Sequence, residues 1–147
     1  MREPAEVKLD VPGDAFLPTD YVPKEELRLE AYRRLASVTT QAEVDDIATE
    51  WADRYGPVPE PAQALLSVGR LRAESHRVGI REVIVTSRDV RVSPIELRTS
   101  AEMRLKRIVR DAIYKPEIGQ LVLPLKRGQD VVTGLIALLR QLVPADT

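Results

Sequence analysis

An α+β fold is predicted for this chain on three observations. Apolar residues recur at helical spacing through three consecutive segments between Lys24 and Val78. From Ile80 the pattern changes to short β-rich runs separated by polar turns. Helical spacing then returns twice, around Ser100 to Arg110 and from Val131 to Leu142. Three helices, a small sheet mixed with a helix, and a closing helix make an α+β domain. The expected architecture is an N-terminal strap and three-helix segment, then a small antiparallel sheet with one helix and a closing C-terminal helix. Residues 1–23 are read as an entry strap or linker and residues 24–147 as a single α+β domain.

The strap carries Pro4, Pro12, Pro18 and Pro23, with one short alternating run, Val7, Leu9 and Val11, that fits a strand. It reads as an entry strap rather than as part of a core. Pro23 suits the start of a helix, where its missing N–H costs nothing. Leu27, Ala31 and Leu35, with Tyr32 and Ala36, form the apolar face of that first helix, and Glu30 sits four residues before Arg34 as a supporting pair. Thr40 followed by Glu43 fits a capping box. Val44, Ile47, Ala48, Trp51 and Tyr55 then give the most regular helical stripe in the chain, closed by Gly56-Pro57. The third helix runs from about Pro59 to Val78, placing Ala62, Leu65, Leu66, Gly69, Ala73 and His76 on one side.

Arg81 to Thr86 and Asp89 to Val92 read as a hairpin closed by Ser87-Arg88. Ala101, Leu105, Ile108, Val109 and Ala112 mark the next helix, and Gln120 to Leu125 a further strand. Asp130 caps the last helix, whose apolar face holds Val131, Val132, Leu135, Ile136, Leu138, Leu139 and Leu142.

Composition narrows the chemistry. At 147 residues, with 44% hydrophobic and 31% charged residues, the chain is an ordinary globular one. It contains no cysteine and a single histidine, His76, which excludes thiolate nucleophiles, zinc ribbons and histidine-rich metal sites. Neither G-x-x-x-x-G-K-[ST] nor G-x-G-x-x-G occurs, so no phosphate-binding loop is expected. No catalytic residue, metal site or cofactor is assigned, and no apolar run approaches the roughly 18 to 20 residues of a membrane span. A cytoplasmic protein without membrane contact is expected.

The net charge of −1 hides an asymmetry, since residues 1–60 carry a net −7 and residues 61–147 a net +6. In the second helix Glu43, Asp46, Glu50 and Asp53 fall within one stripe opposite Val44, Ile47 and Trp51. Like charges at this spacing repel, and Glu50 and Asp53 lie in the C-terminal turns, where the helix dipole disfavours anions by roughly 0.3 to 1 kcal/mol. Stability alone does not favour that arrangement. Carboxylates on one straight helix diverge too much to share an ion, so a docking edge for a basic partner is the better functional reading. A solvated charged face is the reading against it. The basic stretch Arg104, Lys106, Arg107 and Arg110 raises the alternative of a nucleic-acid-binding module, although Tyr114 is the only aromatic near it.

Residues 27–80 resemble the C-terminal domain of the bacterial transcription-repair coupling factor family (Mfd). The resemblance rests on R-L-x-x-Y-[KR]-[KR] at Arg28, Leu29, Tyr32, Arg33 and Arg34, on D-R-[YF]-G-x-[LV]-P from Asp53 to Pro59, and on L-L-x-[VI]-x-R-L-[KR] from Leu65 to Arg72. The lead-in E-V-K-L-D-V-P-G-D-A-F-L-P-x-D-Y extends it to about residues 3–80. The remainder is similar only in its order of hairpin, helix and sheet.

The resemblance implies a parent that is an ATP-dependent DNA translocase, which displaces stalled RNA polymerase and recruits nucleotide excision repair through UvrA. ATP and magnesium would belong to its motor domains, as would DNA contact. This domain would be a non-enzymatic, autoinhibitory lid on the parent's UvrB-like module, masking the surface that UvrA must reach. The partner-binding residues implied are Glu50 and Asp53, with Glu43, Asp46 and Arg54 beside them and Trp51, Tyr55 and Gly56 as support.

Overall fold

The computed structural model describes residues 6–126, 128 and 130–145. They divide into two compact units: residues 13–74 form a helical unit, and residues 6–12 with those from Ser75 onward form a sheet unit.

In the helical unit, helix α1 (Glu25–Ala36) starts shortly after Pro23 with Glu25 and Glu26 in its first turn and Arg33 and Arg34 in its last. That order of charge suits the helix dipole. Helix α2 (Gln41–Tyr55) is capped by Thr40, whose hydroxyl accepts the Glu43 N–H, and ends at Gly56 with φ +87°. An L-residue with a side chain rarely adopts that angle, so the glycine is required at the turn. Helix α3 (Glu60–Val78) begins in this unit. Leu35, Val38, Val44, Ile47, Trp51, Ala62 and Leu66 form one core. Gly69 of α3 lies so close to α1 that a Cβ there would stand 2.9 Å from the Leu35 Cδ2 atom. Glycine at this point therefore sets how closely the two helices pack.

The strap proves to be part of this core rather than an approach to it. Leu17 and Val22 are buried among the helices, because the Leu17 N–H donates to the Tyr32 hydroxyl at 2.8 Å and Arg28 Nη1 donates to the Val22 and Pro23 carbonyls. The expected Glu30–Arg34 pair gives way to one between Arg34 and Glu50 of α2. Ala36, placed on the buried face by periodicity, is exposed.

The sheet unit has five strands in the order β1-β2-β3-β5-β4, formed by Lys8–Asp10, Glu82–Val85, Asp89–Ser93, Ile113–Lys115 and Gln120–Pro124 numbered in chain order. β1 joins β2 in parallel and the other pairs are antiparallel. The run around Leu9 is thus an edge strand, with Val7 buried beside it. The β2–β3 hairpin is closed by Thr86, whose hydroxyl donates to Asp89 Oδ1 at 2.8 Å and holds that carboxyl below its ordinary range. β4 has no counterpart in the sequence reading, since three residues are too few to show a period.

Val83, Val92 and Leu121 lie in register across the sheet and are buried, together with Ala101 and Leu105 of α4 (Thr99–Ile108) and five leucines and valines of α5 (Val131–Leu142). Asp130 caps α5 as expected, accepting from the Val132 and Thr133 N–H groups. α4 stops at Ile108, short of Arg110, because Val109 is extended. His76, grouped with an apolar face by its spacing, is exposed.

Candidate docking surface on the acidic helix

Val44, Ile47 and Trp51 are buried almost completely, and this orients α2 so that its acidic stripe faces outward. The four carboxylates then meet different surroundings. Glu43 belongs to the helix start. Its Oε1 accepts from the Thr39 N–H and from the Thr39 and Thr40 hydroxyls. This is a capping box reaching one residue further back than the usual form. The Thr39 N–H and then its hydroxyl hold the Glu43 carboxyl below its ordinary range.

Glu50 is clamped between two arginines of the same unit. Arg34 of α1 binds Oε2, and Arg54, one turn along α2, stands 3.6 Å from Oε1. Arg54 also lies 5.6 Å from the centroid of the Tyr55 ring, a cation–π distance. Asp45, outside the predicted stripe, pairs with Arg70 of α3 at 2.8 Å. Asp46 and Asp53 are exposed and pair with no cation among the described residues.

The C-terminal end of α2 is held from the strap. The Tyr21 hydroxyl lies 3.2 Å from the Trp51 carbonyl oxygen and 3.0 Å from that of Gly56, the latter one of the carbonyls that a helix end leaves without an intrahelical partner. Its ring meets Tyr55 edge to face at 5.6 Å. Burial, and to a smaller extent Tyr55, raises the Tyr21 hydroxyl above its ordinary value. Trp51, Tyr55 and Gly56 therefore fix the end of the helix that presents Asp53. A notch of about 50 Å³ lies between α1 and α2, lined by Leu27, Arg34, Glu50, Trp51, Arg54 and Tyr55. It is too small for an organic ligand.

Spacing along α2 revealed the stripe but not what engages it. Arg34, Arg70 and Tyr21 were missed because each lies 16 or more residues from its partner, and nothing local marks the pairing.

On the basic stretch, Arg104 donates to the Gln141 carbonyl and Lys106 to that of Ala112. The Tyr114 hydroxyl accepts from the Leu97 N–H and donates to the Ile95 carbonyl, which ties β4 to the segment between β3 and α4. Among the described residues no group of three or more His, Asp or Glu side chains is placed to hold a metal ion. Among them, too, no helix is long and apolar enough to cross a membrane.

Comparison with known proteins shows what the chain as a whole is similar to. A family model described as "TRCF domain" matches residues 11–105. Proteins described as transcription-repair-coupling factors from Mycobacterium bovis and Mycobacterium tuberculosis are each 44% identical over 128 residues, covering 86% of this chain and 10% of theirs. One from Escherichia coli is 41% identical over 78 residues, 53% of this chain and 7% of that protein. The chain thus spans about a tenth of the length of the mycobacterial relatives. The crystal structure of the C-terminal domain of a transcription-repair coupling factor matches with a TM-score of 0.79 at 18% identity, over 96% of this chain and 94% of that one.

Proposed function

Since the chain belongs to the TRCF domain family of transcription-repair coupling factors, with the fold of their C-terminal domain, we propose that it is a non-catalytic regulatory domain docking on the UvrB-like module of a larger parent. In that position it masks the surface that UvrA needs. The parent, on this reading, is the ATP-dependent DNA translocase that displaces stalled RNA polymerase and recruits excision repair.

The observation that carries the proposal is Asp53. An exposed carboxylate in the last turn of α2 opposes the helix dipole, and no cation of the described residues balances it. A basic residue on the docked module supplies that balance in the closed state, with Asp46 extending the edge. Glu50 enters with Arg34 and Arg54 as a preformed acid–base cluster, which offers a partner both signs of charge in a fixed arrangement.

Such an edge is weak by design of its parts, because single exposed ion pairs are worth about 0 to 1 kcal/mol. A contact of this strength is released by a ligand or partner that binds the open form better. The test is UvrA binding by the full-length parent, with Asp53→Ala and Glu50→Ala introduced together. Greater UvrA binding by the variant supports the lid. Equal binding by variant and wild type overturns it. Calorimetry of the 147-residue chain against the isolated UvrB-like module at low and moderate salt tests the contact directly, and the expected result is weak, salt-sensitive binding lost in the double variant.

A further inference from the structure

The sheet unit holds an apolar groove that the docking edge does not involve. It has a volume of about 230 Å³ and lies between α5, the end of α4 and the β5 strand, lined by Ile108, Leu125, Val131, Gly134, Ala137 and Leu138 among others. Ile108 is 41% exposed at its mouth, although its spacing in α4 marks it as a core residue.

Two features distinguish this groove from an accidental gap. The first is Gly134. Glycine weakens a helix interior relative to alanine, and a Cβ at this position would meet nothing within 4 Å. Packing within the unit therefore gives no reason for the glycine, whereas Gly69 has an evident one. A bare backbone at an exposed point of α5 suits the close approach of another chain.

The second is charge. Lys126 lines the groove, Arg104 donates to the carbonyl of its lining residue Gln141, and Arg107 and Arg110 flank Ile108 and Val109 in the chain. Among the described residues none of these four cations pairs with a carboxylate. The acid on the lining, Asp130, is held by the N–H groups and the hydroxyl at the start of α5.

We propose that this groove docks an acidic amphipathic segment of a partner protein, with aliphatic or aromatic anchors entering over Gly134 and carboxylates meeting Arg104, Arg107, Arg110 and Lys126. An apolar floor beside cations that pair with no described carboxylate is complementary to that kind of segment, whereas a basic peptide would meet like charge and bare phosphates would leave the apolar floor uncovered. The inference is independent of the role proposed for α2.

The experiment is a titration of the isotope-labelled 147-residue chain, followed by NMR amide shifts. The probe is a synthetic peptide of about 14 residues, with leucine and phenylalanine at i, i+3/i+4 and i+7 and glutamate elsewhere. Shifts confined to Ile108, Val109, Leu125, Gly134 and Ala137, saturating with a Kd on the order of 100 µM and weakening with salt, are expected. Gly134→Gln fills the floor while improving the helix, so its thermal midpoint rises as its affinity falls by at least about tenfold. Arg107→Glu with Lys126→Glu should lose binding to a similar extent.

Equal binding of the same peptide with lysine in place of glutamate overturns the proposal, as does an absence of shifts in the groove. Concentration-dependent dimerisation through these residues, abolished by Gly134→Gln, assigns the groove to a second copy and overturns it too. Shifts of the same residues by duplex DNA, with none by the acidic peptide, do likewise.

Discussion

Helices α2 and α4 carry charges of opposite sign at similar density, yet the two sets stand in different relations to their own helices. In α4 the cations Lys106 and Arg107 fall in the last turn, where the dipole favours them, and Arg104 and Lys106 each bind a backbone carbonyl. In α2 Asp53 falls in the last turn, where the dipole disfavours it, and Glu50 lies about one turn before it. Glu50 is balanced by Arg34 and Arg54, and Asp53 is not balanced by any described residue. Charge that agrees with its helix needs no external cause. Charge that opposes its helix leaves a cost that a partner could offset, which is why the docking role is proposed for α2. For α4 the helix alone assigns no partner, and only the groove beside its end does so.

This contrast can be broken at its foundation by removing what orients each helix. Trp51→Ala should cost the helical unit about 3 to 5 kcal/mol, and Leu105→Ala should cost the sheet unit about 2 to 5 kcal/mol, both read by urea unfolding. If either variant is nearly neutral, the packing described for that unit is wrong and its exposed stripe has no fixed direction.

The next effect lies at the helix starts. Thr40→Ala should cost about 1 kcal/mol, since the hydroxyl accepts the Glu43 N–H, whereas Arg98→Ala before α4 should be close to neutral, because Arg98 makes no side-chain cap bond. The Glu43 carboxyl gives this a pH signature. Its value is lowered in the folded chain, so its contribution is present above the ordinary glutamate range and is lost as pH falls through the lowered folded value. Thr39→Ala should flatten that acid limb in a pH series of thermal midpoints.

Tyr21→Phe should cost about 0.5 to 1.5 kcal/mol by removing the hydroxyl that bonds the Trp51 and Gly56 carbonyls at the end of α2. The hydroxyl's value is raised on folding, so its contribution is complete below the ordinary tyrosine value and is lost as pH rises through the folded one. The variant should therefore lose less stability than wild type on the alkaline side.

The smallest effects decide the contrast most directly. Asp53→Asn should leave stability unchanged or raise it by about 0.3 kcal/mol, because it removes an anion from a helix end. Glu50→Gln should lower stability by about 0 to 1 kcal/mol, because it leaves Arg34 and Arg54 unbalanced. A clear loss on Asp53→Asn would show that this carboxylate has a stabilising partner within the chain and would remove the argument for an external one.

Much of this was legible along the chain. Thr40 and Gly56 bracket α2, Asp130 starts α5, and the switch of period at Ile80 separates helices from strands, because caps and periodicity depend on residues within a turn or two of each other. The acidic stripe followed from the same local geometry.

Relations between residues far apart in the chain were settled only in three dimensions. The strap places Leu17 and Val22 in a helical core while Lys8–Asp10 extends a sheet, so one short segment serves two units. Arg34 takes Glu50 rather than Glu30, since an exposed i,i+4 pair on one helix is worth only a few tenths of a kcal/mol and is readily displaced once packing brings α1 and α2 together. Which of four similar carboxylates is engaged and which stays exposed is therefore a property of the packed helices, whereas their common direction is a property of the sequence.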